Sequence, residues 1–112
     1  MNTLKPQELK AKIDVGEPLT LIDLRPDHDY QEKHIPGAMN VAAGANFVSE
    51  CSQAVPDKAT VIVLYNDLKE NHSDQESAAA LEAAGYANVS IVPDGLMGWM
   101  NAGFQVDFGR ES

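Results

Sequence analysis

Two apolar runs constrain this chain more than any other feature: Leu19-Thr20-Leu21-Ile22-Asp23-Leu24 and Thr60-Val61-Ile62-Val63-Leu64-Tyr65. Neither alternates strictly with polar residues, as a strand with one wet face would. The second is rich in β-branched residues and sharply bounded, with the turn-forming Pro56-Asp57-Lys58 just before it. Runs of this kind fit strands buried on both faces of a sheet. The intervening segments supply the cover. Residues 6–13 read as a first helix, with Pro6 in its opening turn, Leu9 and Ile13 on one face and Gly16 as its stop. Residues 27–33 suggest one or two polar helical turns, 47–54 a helix, 77–84 an alanine-rich helix ended by Gly85, and 96–102 a short last helix. Shorter strands are expected at 38–41, after the turn Pro36-Gly37, and at 88–92. Ser73 and Glu76 have the spacing of a capping box. Strands alternating with helices predict an α/β domain, a mainly parallel sheet of four or five strands with helices on both faces.

The 112 residues fit one domain, since domains usually hold roughly 100–150 residues. Residues 1–112 are therefore read as a single unit, with a core over about 6–106 and a short polar C-terminal tail. With 17 acidic and 8 basic side chains, the formal net charge is −9. That balance argues against a nucleic-acid binder, which needs clustered Lys and Arg to displace counterions. No apolar run approaches the roughly 20 residues that span a bilayer, and the N-terminus lacks the apolar core of a signal peptide. The lone cysteine, Cys51, cannot form an internal disulfide. A cytoplasmic protein without membrane attachment or cofactor is expected, as a monomer or weak homodimer whose partner is another protein.

Several short motifs then occur in order. Leu21-Ile22-Asp23-Leu24-Arg25 is followed by Asp29-Tyr30 and by His34-Ile35-Pro36-Gly37-Ala38. In the second half come the strand ending in Tyr65, the helix 78–84 with Gly85-Tyr86, then Asn88-Val89, and Asp94-Gly95 with Trp99 and Gly103. Each motif alone is weak, but together, from Pro6 to about Val106, they resemble the rhodanese-like domain family. The resemblance implies the family's α/β fold and makes Asp23, Arg25, His34, Gly37, Gly95 and Trp99 signature residues that serve the scaffold. Arg25, leaving a buried strand, offers a planar fork for a carboxylate, with Asp23 or the acidic residues between Asp27 and Glu32 as partners.

In active members of that family the strand corresponding to 60–65 ends in a cysteine, which opens a loop reading roughly C-R-S-G-x-R-S. The thiolate takes a sulfane sulfur, and the persulfide anion is held by loop amides, the start of the next helix and loop arginines. Here that position falls on Asn66, whose carboxamide cannot form a thiolate. The following loop holds Asp67, Lys69, Glu70, His72 and Ser73; from Asn66 to Glu76, four carboxylates face one lysine, a net of −3. An anionic substrate would meet repulsion there. The reading is a rhodanese-like domain with a degenerate active-site position and no catalytic residue, acting as a protein-interaction or regulatory module.

Two alternatives remain. The chain is a sulfurtransferase acting through an unexpected site, for which Cys51 is the available thiol; Glu50 beside it offers nothing to lower its pKa. Or the loop 66–76 binds a small ligand or metal through Asp67, Glu70, His72 or Asp74, although the spacing matches no metal motif, and no metal is expected. Leu96, Met97, Trp99, Met100 and Phe104 also cluster near the C-terminus. Trp99 is expected in the core, and the others either close the core or form an interface.

Overall fold

The computed structural model describes residues 2–67 and 72–109. Among these residues five strands and five helices alternate: β1 (Asn2–Thr3), α1 (Pro6–Asp14), β2 (Thr20–Asp23), α2 (Asp27–Glu32), β3 (Met39–Asn40), α3 (Phe47–Ala54), β4 (Ile62–Tyr65), α4 (Ser73–Ala83), β5 (Val89–Val92) and α5 (Gly95–Asn101). All pairings among the strands are parallel, in the order β1-β5-β4-β2-β3. The expected α/β architecture with helices on both faces is what forms.

The apolar runs sit where two-sided burial requires. β4 is buried at every residue and lies in the centre, between β2 and β5. Its side chains alternate between two cores, as strand geometry dictates. Ile62 and Leu64 join Ile22, Leu24, Phe47, Cys51, Leu81 and Ile91 under α3 and α4. Val63 and Tyr65 join Leu9, Leu21, Tyr30, Ile35, Leu96 and Trp99 under α1, α2 and α5.

β1 was not anticipated. Its two exposed residues carry no periodic signal, and it exists because Asn2 and Thr3 pair with Ser90 and Ile91 of β5. The capping box is a second correction. α4 begins at Ser73 rather than 77, and no side chain caps it from the preceding residue; the Glu76 amide donates to the His72 carbonyl at 3.2 Å instead.

The strand order reverses direction between β2 and β4, so a crevice opens beyond their C-terminal ends. In open parallel sheets this is where ligands bind. The register places Asp23 directly beside Tyr65 at that edge.

Leu81 is fully buried beneath α4. Leu81→Ala is expected to lower the unfolding free energy by about 2–5 kcal/mol with an unchanged denaturant slope, as read by urea titration; a loss within experimental scatter would contradict this packing.

Candidate functional site

Asn66 leaves β4 at the crevice and is only 4% exposed. Its carboxamide is committed locally: Nδ2 donates to the Ser73 hydroxyl, and Oδ1 accepts from the Asp67 amide at 2.9 Å. Its backbone is held from the other face of the sheet. The first amides of α5 have no intrahelical partner; those of Leu96 and Met97 donate to the Asn66 and Asp67 carbonyls at 2.8 and 3.1 Å. Gly95 permits this approach. With φ at +63°, a Cβ there would lie 2.7 Å from the Asp67 carbonyl oxygen and closer still to that of Asn66.

The floor of the crevice is a buried ion pair. Arg25 Nη2 donates to Asp23 Oδ2 at 2.8 Å, Nε reaches both Asp23 oxygens at 3.1 Å, and the Arg25 amide donates to Oδ1 at 2.8 Å. Nη2 also donates to the Lys33 carbonyl at the end of α2. Burial works against the Arg25 charge, but the hydrogen bond and charge of Asp23, aided by Tyr65 and Asp67, hold the guanidinium above its ordinary pKa. Tyr65 completes the group. Its hydroxyl accepts from the Ile35 amide at 3.0 Å, and burial, reinforced by Asp23, pushes the phenol well above its usual pKa. Among the partners considered for Arg25, Asp23 makes the contact; the second carboxylate is Asp67, 3.4 Å from Nε and half-exposed, rather than one from α2.

On the opposite wall, α4 presents its first turn. Asp74 is 4% exposed, and its carboxylate accepts from its own amide and from that of Gln75, the latter at 2.7 Å. Burial raises its pKa, and those two amides partly offset the rise. Two of the open amides that make a helix start attractive to an anion, those of Asp74 and Gln75, are thus already engaged by the chain's own carboxylate. His72 is exposed at the start of the helix and Ser73 faces Asn66. Lys69 and Glu70 lie outside the described residues.

Cys51 is elsewhere. It is fully buried on the inner face of α3, and burial pushes its thiol above the usual cysteine value, with Lys58 pulling weakly the other way. Among the described residues, one trio of metal-capable groups converges, His28, Asp29 and Glu32 on α2, with ligand atoms within 4.8 Å; Asp67, His72 and Asp74 do not form such a group. Beside Arg25, a cleft of about 220 Å³ is lined by Lys33, Asp67, Leu96, Met97 and Met100. Of the C-terminal cluster, Met97 is exposed, whereas Trp99 is buried, its indole N–H donating to the Gln105 carbonyl at 2.7 Å. His34 is fully buried, stacked on Tyr30 at 4.0 Å, with Nδ1 2.9 Å from the Tyr30 carbonyl oxygen. Gly37 turns the chain with φ at +86°.

The family model for the rhodanese-like domain matches residues 5–102. The chain belongs to the rhodanese-like domain family. Its structure is similar to the rhodanese-like domain of the Alr3790 protein from Anabaena, with a TM-score of 0.85 at 27% identity, covering 96% of this chain and 80% of that one. It is 30% identical over 98 residues to the probable adenylyltransferase/sulfurtransferase MoeZ of Mycobacterium tuberculosis, covering 88% of this chain and 24% of that protein. It is 32% identical over 102 residues to the HTH-type transcriptional regulator Rv0324 of the same organism, covering 91% of this chain and 43% of the regulator. This rhodanese-like chain therefore spans less than half the length of either relative. Among its described residues, no helix is long and apolar enough to cross a membrane.

Three features of the site were not foreseen: the clamp by the α5 amides, the tyrosine on Asp23, and Asp74 on the helix start. Only the last left a signal, an acidic residue in the first turn of a helix.

Gly95→Ala is expected to destabilise the protein by about 1 kcal/mol or more from the left-handed backbone alone, and to shift the amide resonances of Asn66 and Asp67. A variant with unchanged melting temperature and unchanged resonances would show that the close approach does not constrain the site.

Proposed function

We propose that this domain does not catalyse sulfur transfer and serves as a protein-interaction or regulatory module. The observation that carries the reading is Asn66: the residue that leaves β4 at the crevice is a carboxamide bonded to Ser73, with no sulfur to receive a sulfane atom. Two further observations support it. The Cys51 thiol is enclosed in the core under α3, where burial disfavours the thiolate that nucleophilic attack needs. Two of the amides that could hold an anion at the start of α4, those of Asp74 and Gln75, are engaged by the Asp74 carboxylate. The similarity to Rv0324, named as a transcriptional regulator, supports a regulatory use of such a domain; the similarity to MoeZ ties the family to sulfur chemistry.

Purified protein is expected to give no thiosulfate:cyanide sulfurtransferase turnover above the blank, and Cys51→Ser the same. Robust turnover that survives Cys51→Ser would place the chemistry at a site without a cysteine and contradict the proposal. Turnover abolished by that substitution would contradict it too, and restore Cys51 as a nucleophile.

A further inference from the structure

Tyr30 fixes the way α2 faces. Its side chain is buried beneath the helix, with the hydroxyl donating to the Ala38 carbonyl at 2.6 Å and the ring stacked on His34. Two hydrogen bonds from other segments hold the end of the helix: the Arg25 side chain donates to the Lys33 carbonyl, and the Gly109 amide to the Gln31 carbonyl at 2.7 Å. With Tyr30 turned inward, residues 28, 29 and 32 share the outer face, because positions three and four apart on a helix are neighbours. His28 and Glu32 are exposed there and Asp29 is half-buried.

On that face three donor atoms converge. Those of His28, Asp29 and Glu32 all lie within 4.8 Å of one another, and His28 Nε2 is 3.3 Å from Glu32 Oε1. Two ligands of a tetrahedral zinc ion, each about 2.1 Å from the metal, stand about 3.4 Å apart. The His28 and Glu32 atoms already have that separation, and the Asp29 carboxylate is within reach of a side-chain rotation on a backbone held in place. The charge of this face is unbalanced as well. α2 carries Asp27, Asp29 and Glu32 and no Lys or Arg. Asp27 accepts from Gln31 Nε2 at 2.6 Å, but among the described residues no Lys or Arg forms an ion pair with Asp29 or Glu32. Like charges one turn apart on a helix repel, and an exposed His–Glu pair contributes little to stability; the convergence does not serve the scaffold.

We infer that the outer face of α2 binds a divalent transition-metal ion, with His28 Nε2 and one carboxylate oxygen each from Asp29 and Glu32 as ligands and water in the remaining positions. The donor set selects the class of ion. Imidazole suits zinc, copper and nickel, whereas calcium takes six to eight oxygen ligands and magnesium keeps most of its waters. A site of three protein donors open to solvent exchanges its ion with the surroundings, unlike a structural zinc site closed by four ligands. The place differs from the one the sequence suggested for a metal, the segment with Asp67, Glu70, His72 and Asp74. Binding at α2 does not depend on whether the domain transfers sulfur.

The test is an NMR titration of the isotope-labelled full chain, free of any affinity tag, with zinc chloride. Saturation at one ion per chain is expected, with shifts centred on the amides of residues 28–33 and a displaced His28 Nε2 resonance, the mark of direct coordination. Magnesium chloride at the same concentrations is expected to leave that ring nitrogen unmoved. His28→Ala and Glu32→Gln are each expected to weaken zinc binding by more than about tenfold, since loss of an outer-shell partner alone costs that much. Asp27→Asn removes one negative charge from the same helix outside the trio and is expected to weaken it by about twofold or less; His72→Ala is expected to change nothing. Absence of saturable binding, an unmoved His28 ring, shifts centred on residues 66–76 and lost in His72→Ala, or equal weakening by Asp27→Asn and Glu32→Gln would overturn the inference. The last result would show diffuse attraction to acidic charge in place of coordination.

Discussion

The buried pair of Asp23 and Arg25 is the constraint on which the crevice depends. Both side chains are nearly inaccessible, and an isolated charge in such a place costs several kcal/mol of lost hydration. The cost is met by geometry. The Arg25 fork engages both carboxylate oxygens, the Arg25 amide adds a further donor, and the Lys33 carbonyl takes another guanidinium proton. Through these contacts the end of β2 is joined to the end of α2, and Tyr65 at the end of β4 is joined to the Ile35 amide. Asp23 also sits beside Asn40 of β3, whose side chain donates to the Asp23 and Arg25 carbonyls at 3.1 and 2.7 Å. The ion pair and the hydrogen bonds around it therefore gather the C-terminal edges of three neighbouring strands.

A rim this well ordered could hold a reactive group in place, which makes the residue it presents informative. The main chain at Asn66 is braced by α5 on one side, and its side chain is tied to α4 on the other. Sulfur transfer would need a thiolate here and compensation for its charge. The fold does supply a helix start at the right place, but two of its first amides, those of Asp74 and Gln75, are taken by the Asp74 carboxylate. On this account the scaffold of the family is present, while a carboxamide and a carboxylate stand where its chemistry would need a polarisable nucleophile and a free seat for an anion.

The central sheet was legible because two-sided burial writes long apolar runs into β2 and β4, and the order of helices and strands follows once those are placed. What could not be read depended on partners distant in the chain or on competition among neighbours. β1 exists only through β5. Arg25 meets Asp67 because β4 lies beside β2, a contact no local pattern reports. At α4 the capping-box residues were present, but the His72 carbonyl takes the Glu76 amide, Asp74 takes that of Gln75, and Ser73 turns to Asn66. Several acceptors within reach of the same donors give the sequence no means of ranking them.

The central claim is electrostatic as well as chemical: the position after β4 no longer favours a thiolate even when a thiol is put there. The direct measurement is the pH dependence of iodoacetamide alkylation of the Asn66→Cys variant in a Cys51→Ser background. The account predicts a thiol that titrates at or above the ordinary cysteine value of about 8.5, because Asp67 follows it in the chain and Asp74 holds two amides of the helix start beside it. A thiol titrating near or below about 7, the range of cysteines activated at helix starts, would contradict it, since the anion seat would then still be open.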